Sequence, residues 1–254
     1  MNNSPSPELS VVVPFFNEED CLVPVVRELL AVMNRDFPKS WELLLVDDGS
    51  SDRTPELLDG FSDQDPQIRA VHLMPNSGQS AAMEAGFSLA RGRFIAVLDG
   101  DGQNDPADIL LLLKAIEKTG VDMMCGIRRN RADSLVRKVS SRIANRIRSA
   151  ILKDNITDVG CSIRVFRRQC LMKVPFFRNA HRFFPALMIR AGYTVDEMPV
   201  NHRPRIQGTS KYGLGINSRL WVGIADLAGV YWLTRRKLIY EIRENRRNGP
   251  SIQD

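Results

Sequence analysis

The sequence predicts an α/β fold: a mostly parallel sheet with helices on both faces. Three observations predict it. Short, solidly apolar runs such as LSVVVPFF and FIAVLD recur along the first half of the chain. Amphipathic stretches of helical length separate them. The runs do not alternate in polarity, as a strand with one wet face would, so they read as strands covered on both sides.

The elements follow in order. Residues 1–8 form a polar, proline-containing lead-in. LSVVVPFF (9–16) is the first strand, closed by NEED, and an amphipathic helix over 20–34 follows. WELLLVDD (41–48) is the second strand. GSSDRTPELLDGF opens the second helix, with Pro55 suited to its first turn because a first-turn residue needs no N–H partner. IRAVHLM (68–74) is the third strand, and His72 within it is read as packing. A third helix over 76–92 ends at Gly92. FIAVLD (94–99) is the fourth strand. DPADILLLLKAIEKTG (105–120) is a helix with Asp105 as N-cap and Pro106 at the first position. VDMMCGI (121–127) is a fifth strand.

After residue 128 the texture changes. Leu135, Val139, Ile143, Ile147 and Ile151 recur every four residues with basic residues between them, which predicts a basic amphipathic helix over 134–152. INSRLWVGIADLAGVYWLTRRK (216–237) is a second amphipathic helix. Arg219, Gly223 and Asp226 share a narrow face, and Leu220, Trp221, Ile224, Leu227, Ala228, Tyr231 and Trp232 spread over the rest. Its apolar stretch is too short to span a bilayer. Two tryptophans, a tyrosine and a following RRK fit a helix lying in a lipid headgroup region, and a core or dimer helix is the competing reading. The expected organisation is a lead-in over 1–8, one domain over 9–215, and a membrane-surface helix with a basic tail over 216–254.

Composition narrows the function classes. The 254 residues are 43% hydrophobic and 26% charged, which suits a globular chain with a sizeable core. A net charge of +5 invites an anionic partner. Four cysteines are scattered without CxxC or Cys/His pairing, against a zinc site or a disulfide framework and in keeping with a reducing cytosol. The start shows no charged and apolar signal regions, and no run approaches the ~18 apolar residues of a spanning helix.

In a parallel sheet, ligands sit at the carboxyl ends of the strands. Here those ends read NEE, DDGS, PNSGQ and DGDGQN. Converging carboxylates repel unless a cation lies between them, and an oxygen-only set suits Mg²⁺ or Mn²⁺, which completes its shell on substrate phosphates. Asp99 and Asp101 therefore read as a metal–diphosphate bridge with Gln103 as neutral support. Taken alone, DGDG serves as well for a turn. Asp48 is placed to accept from a base or ribose, or else belongs to a capping cluster for the next helix. Phe16 is placed to stack on a base, with Asn17 and Glu18 at its edge; an ordinary strand-to-helix turn is the alternative. His181 and His202 flank the basic region as phosphate-bonding candidates, not catalytic groups.

PFFNEE, VDDGSSDRT, NSG and DGD, in this order, resemble glycosyltransferase family 2, whose fold is GT-A. DGDGQNDP is similar to the DADLQ-x-P of its polyprenyl-phosphate, dolichol-phosphate mannose synthase-like subgroup, with Gly100 where alanine is usual. GIRRN, RKVSSR, DVGCSIRVFRR and RIQGTSKYG match that subgroup in order over about residues 9–235, with VGCSIR closest to bacterial undecaprenyl-phosphate transferases. The resemblance implies that Asp99, Asp101 and Gln103 hold the metal and the donor diphosphate. It implies a nucleotide pocket lined by Pro14, Phe16, Asn17, Glu18, Val46, Asp48, Gly78 and Gly100. Arg128, Arg137, Ser141, Arg205, Ser210 and Lys211 would gather the acceptor phosphate and the diphosphate. Asp99, Asp101, Arg128 and Lys211 are the expected catalytic set.

The expected reaction is an inverting transfer of a sugar from a UDP- or GDP-sugar to a polyprenyl phosphate at the cytoplasmic membrane face. A lipid phosphate is already an anion, so positioning and charge neutralisation matter more than a base. The rivals are a family 2 enzyme with a soluble or polysaccharide acceptor, and a non-catalytic basic binding protein. The second leaves the acidic strand ends unused, and no nucleic-acid motif supports it. Oligomeric state is left open, a homo-oligomer included.

Overall fold

The computed structural model describes residues 6–128, 145–205 and 216–236. The first half runs β1 (Leu9–Phe15), α1 (Glu19–Asp36), β2 (Trp41–Asp47), α2 (Thr54–Gln64), β3 (Ile68–His72), α3 (Gln79–Leu89), β4 (Phe94–Val97), α4 (Ala107–Thr119) and β5 (Met123–Arg128). A helical stretch over 145–152 (α5), β6 (Arg164–Arg167), α6 (Phe184–Arg190), β7 (Val195–Val200) and α7 (Ile216–Arg235) follow. The strands form a seven-stranded sheet in the order β3-β2-β1-β4-β6-β5-β7. β3, β2, β1 and β4 are parallel, β6 is antiparallel to β4 and β5, and β7 is parallel to β5. The expected α/β, GT-A-like architecture is present.

The solid apolar runs have the expected cause. Val11, Val13 and Phe15 point into a core shared with α1 and α4, while Val12 points to the other side, among α3 and α6. Gly86 of α3 lets helix and sheet approach closely, since a Cβ there would stand 2.4 Å from Val12 Cγ1. The second core is aromatic: Phe87, Phe166 and Phe184 meet with centroids 5.1 to 5.8 Å apart.

Pro55 sits in the first turn of α2. Asp105 caps α4 by accepting the Ala107 N–H at 3.1 Å, although the regular helix begins two residues beyond it. The third helix starts at Gln79 rather than 76, because Asn76, Ser77 and Gly78 turn inward to Asp48. β6 and β7 were not expected. RVFR is short and ends in charge, and VDEMPV alternates at a half-covered edge and contains a proline.

The first of the late helices differs from the sequence reading. Residues 134–144 of the basic helix lie outside the described residues. In the described part Ile147 and Ile151 are exposed and Arg148 is buried, because Asp154 and the Ile156 carbonyl draw the guanidinium inward. In α7 the polar residue faces the body. Asp226 accepts from Asn179 Nδ2 at 3.0 Å, and Leu227 and Val230 pack on the second core. Trp221, Ile224 and Trp232 face outward, with Trp221 70% exposed. Among the described residues, no helix is long and apolar enough to cross a membrane.

Candidate active site

The carboxyl ends of β1, β2 and β4 lie side by side, and each bends into a polar loop. Asn17, at φ 51°, donates its N–H to Ser50 Oγ at 2.8 Å, and its Oδ1 accepts the Ser51 N–H at 2.7 Å. The Glu18 N–H donates to Thr54 Oγ1 at 2.9 Å. The loops after β1 and β2 are thus sewn together. Phe16 stands partly exposed beside them, and Pro14 is half-buried at the strand end.

Asp48 is turned into the fold. Its Oδ1 accepts the N–H groups of Ser77 at 2.9 Å and Gly78 at 3.0 Å, and its Oδ2 accepts Asn76 Nδ2 at 3.0 Å. Burial pushes its carboxyl up, while these donors pull it down. Asp48 thereby braces the NSG loop. Gly78 takes φ 90° to make this turn. Val46 does not line an open pocket. Its side chain is fully buried beneath α3, because position 46 points to the helix-covered face of β2.

The loop after β4 carries the densest set of oxygens. Asp99 accepts from Gln79 Nε2 at 2.7 Å, and its N–H donates to Asn104 Oδ1 at 3.1 Å. Burial pushes the Asp99 carboxyl up to about 6, the Asp101 charge adds to this, and Ser162, Arg164 and Arg205 oppose it. Asp101 Oδ1 accepts the Gln103 N–H at 3.1 Å. A Cβ at Gly100 would stand 2.5 Å from the Phe15 ring and 2.9 Å from the Pro14 carbonyl oxygen, so alanine does not fit unless both give way.

The missing cations arrive from the end of β7. Residues 201–205 cross the loop as a strap. The Arg203 N–H donates to the Gln103 carbonyl at 2.9 Å, and the Arg203 guanidinium bridges Glu28 at 2.6 Å and Asp105 at 2.7 Å. Arg205 Nη2 lies 2.7 Å from Glu18 Oε1 and 3.8 Å from Asp101 Oδ2. Beneath them the Cys21 thiol donates to Glu18 Oε2 at 3.1 Å and reaches the Gly100 carbonyl at 3.4 Å. Burial pushes that thiol up to about 12, so it remains a protonated donor.

Arg128, expected on the acceptor phosphate, already holds a partner. Its Nε and Nη2 meet Asp158 at 2.8 and 2.7 Å in a forked pair, and Glu197 in turn braces Asp158. Arg137, Ser141, Ser210 and Lys211 lie outside the described residues. His72 is not a packing residue. It bridges Asp59 at 2.9 Å and Asp47 at 3.4 Å, because β3 is the edge strand and its end is open to solvent.

Asp99, Asp101 and the Gln103 side-chain oxygen fit a hard divalent ion in donor type. No group of three or more His, Cys, Asp or Glu side chains able to hold a metal converges among the described residues. An ion there would therefore complete its shell on a ligand's phosphates. Sequence reasoning missed Gln79, Arg164, Arg203 and Cys21. The only local signal was Gln79, which directly follows the NSG turn.

Comparison with known proteins places this geometry. The model of "Glycosyl transferase family 2" matches residues 10–174. The chain is 41% identical over 234 residues to a dodecaprenyl-phosphate galacturonate synthase of Rhizobium johnstonii, covering 91% of this chain and 68% of that protein. It is 38% identical over 205 residues to an undecaprenyl-phosphate 4-deoxy-4-formamido-L-arabinose transferase of Pectobacterium carotovorum, covering 80% and 62%. The chain thus spans about two thirds of the length of these relatives. In fold it is similar to glucosyl-3-phosphoglycerate synthase from Mycobacterium tuberculosis in complex with Mn²⁺, UDP and phosphoglyceric acid, with TM-score 0.64 at 17% identity over 88% of this chain and 79% of that one. A mannosyltransferase from Pyrobaculum calidifontis in complex with GDP-Man and Mn²⁺ gives TM-score 0.60 at 20% identity, over 91% and 64%.

Proposed function

The chain belongs to glycosyl transferase family 2, and from that premise we propose that it moves a sugar from a nucleotide-sugar to a polyprenyl phosphate, with inversion, at the cytoplasmic face of a membrane. The observation that carries the reading is the meeting of Glu18, Asp99 and Asp101 with Arg205 at the strand ends. Such a set suits a metal and a diphosphate, carboxylates for the ion and a guanidinium for the phosphates. Two relatives named for dodecaprenyl- and undecaprenyl-phosphate support the acceptor class.

The residues divide the work. Phe16, Pro14 and the Asn17–Glu18 turn receive the nucleoside. Asp99 and Asp101, with Gln103, would hold Mg²⁺ or Mn²⁺, which would supply a Lewis acid for the leaving diphosphate. Arg205, held at 2.7 Å by Glu18 and 3.8 Å from Asp101, would offer its guanidinium to the diphosphate. A lipid phosphate oxygen then attacks the anomeric carbon from the far side, and the sugar–diphosphate bond breaks. No general base is needed, because the nucleophile is already an anion. Arg137, Ser141, Ser210 and Lys211 are assigned to that phosphate. Arg128 joins them only by giving up part of its fork to Asp158.

Helix α7 brings the chain to the lipid. Its Asp226 is turned inward to Asn179 and its tryptophans outward, with Arg235 over the Tyr231 ring at 4.3 Å and Arg236 over the Trp232 ring at 5.3 Å. An apolar outer face rimmed by arginine suits an anionic membrane surface.

The test is a donor screen. Purified protein, Mg²⁺ or Mn²⁺ and a panel of UDP- and GDP-sugars are incubated with and without undecaprenyl phosphate in detergent. Lipid-dependent release of nucleoside diphosphate from one donor is expected. Release that ignores the lipid would move the acceptor to a soluble molecule.

A further inference from the structure

Asp99 and Asp101 each give one oxygen to a donor of the chain itself. Asp99 Oδ1 accepts Gln79 Nε2 at 2.7 Å, and Asp101 Oδ1 accepts the Gln103 N–H at 3.1 Å. These are the two carboxylates assigned above to Mg²⁺ or Mn²⁺. Their donors therefore bear on how an ion would be held, and on which ion.

The Gln79 contact is fixed at both ends. On the carboxylate side, the Asp99 main-chain N–H donates to Asn104 Oδ1 at 3.1 Å, and the Ser162 hydroxyl donates to the same oxygen at 2.9 Å. Asn104 is buried, and its main chain bridges to His202 in the strap after β7. The end of β4, the approach to β6 and the strap thus meet at one amide. On the other side, Gln79 is the first residue of α3. The N–H groups of Ser77 and Gly78 just before it are bonded to Asp48, and Gly86 brings the helix close against Val12. An amide mounted so firmly orients the carboxylate it bonds, as the outer partners of metal ligands do.

Orientation decides how many oxygens a carboxylate can give. Binding an ion through two oxygens needs both of them turned to it. In Asp99 and Asp101 alike, Oδ1 is turned to an N–H of the chain. Each would therefore give a single oxygen. Ca²⁺ takes about six to eight oxygens and accepts two from one carboxylate, at about 2.3–2.6 Å. Mg²⁺ needs an octahedron of single oxygens at about 2.0–2.1 Å, and completes it with water and phosphate. The donor to Asp101 is main chain, so the side chain that controls this choice is Gln79.

We propose that Gln79 is a positioning residue that sets the choice of metal: by holding Asp99 Oδ1 it limits Asp99 to one-oxygen coordination and makes the site prefer Mg²⁺ or Mn²⁺ to Ca²⁺. The inference rests on the metal reading of the proposed function and deepens it. Gln79 acts through Asp99 and touches no ion itself.

The test uses the metals alone. Mn²⁺ binding to the full chain is followed by electron paramagnetic resonance, and Ca²⁺ is added as competitor. The wild type, which needs no substitution, should bind Mn²⁺ at least about tenfold more tightly than Ca²⁺. Gln79→Met keeps the length and removes the donor. It should lower the Mn²⁺-to-Ca²⁺ affinity ratio by about 3- to 10-fold. Gln79→Lys keeps a donor at similar reach and adds a charge. It should weaken both ions by about 3- to 10-fold and keep their ratio within about twofold. A general loosening of the loop would weaken both ions alike in Gln79→Met, and that result would overturn the proposal. So would a ratio lost equally in both variants, or a wild type that holds Ca²⁺ as tightly as Mn²⁺. A wild type that binds neither ion would sink the metal reading itself, and the proposal with it.

Discussion

Glu18, Asp99 and Asp101 bring carboxylates to one place, and carboxylates so placed repel unless a cation separates them. Arg205 supplies that cation, at 2.7 Å from Glu18 and 3.8 Å from Asp101. In the proposed reaction it would compete with a metal ion for Asp101 and be released to the diphosphate. Arg205→Gln should tighten Mn²⁺ binding in the absence of nucleotide by roughly three- to tenfold, from a unit charge removed at this range. The same change should lower donor turnover. Manganese titration followed by electron paramagnetic resonance reads the first effect, and weaker binding in the variant would refute the competition. His72 gives a pH signature. Partial burial opposes its charge, but hydrogen bonds to Asp59 and Asp47 outweigh this and hold its pKa above the ordinary value. A raised pKa means the folded state binds more protons, so the stabilisation is complete below the unfolded value of about 6.5. It is lost as pH rises through the folded value. Melting temperatures of wild type and His72→Gln should differ more at about pH 5.5 than at about 8.5, and a constant difference would count against the ion pair. DGDGQN and NEE were legible because residue type alone names their chemistry. Arg205 was expected on phosphate, but its pairing with Glu18 and the Gln79 bond to Asp99 were not legible, since no local pattern records which distant side chains meet at the loop.

Among the elements, α3 joins the most functions. Its first turn braces Asp99 through Gln79 and His181 through Ser80, and its middle lies against β1 at Gly86. Gly86→Ala should cost about 2 kcal/mol, because β-branched Val12 cannot easily turn away. Denaturant unfolding reads the loss, and an unchanged midpoint would mean that the helix is free to lift. α7 makes the opposite use of its sequence. Its apolar residues were legible as a stripe, but which face meets the protein was not, since periodicity gives a face and not its partner. The Asn179–Asp226 bond and buried Val230 turn the Asp226 side toward the body. Trp221→Ala with Trp232→Ala should therefore leave the melting temperature within about 1 °C while reducing sedimentation with anionic vesicles by several-fold. Lost stability with unchanged vesicle binding would show a face covered by protein instead. β6 and β7 went unseen because a short strand and a proline-containing edge carry little periodic signal.

Across the whole molecule, the sheet divides into two working halves. β1, β2 and β4 lead into oxygen-bearing loops, assigned in the proposed function to a nucleotide and its metal, while β5 ends in Arg128 and the strap after β7 carries Arg203 and Arg205. The antiparallel β6 lies between β4 and β5, so it holds the halves one strand apart. Solid apolar runs made the parallel half legible. The second half depends on pairings among segments distant in the chain, which composition does not encode. The account's central claim is that these halves meet over one bond, from the anomeric carbon to a lipid phosphate oxygen. Mass spectrometry of the lipid fraction tests it most directly, after incubation with the active nucleotide-sugar, Mn²⁺ and undecaprenyl phosphate. The account predicts a polyprenyl phosphate heavier by one sugar residue, formed in equal amount with nucleoside diphosphate. Nucleoside diphosphate formed alongside an unchanged lipid, with the sugar found free or on a soluble acceptor, would contradict it.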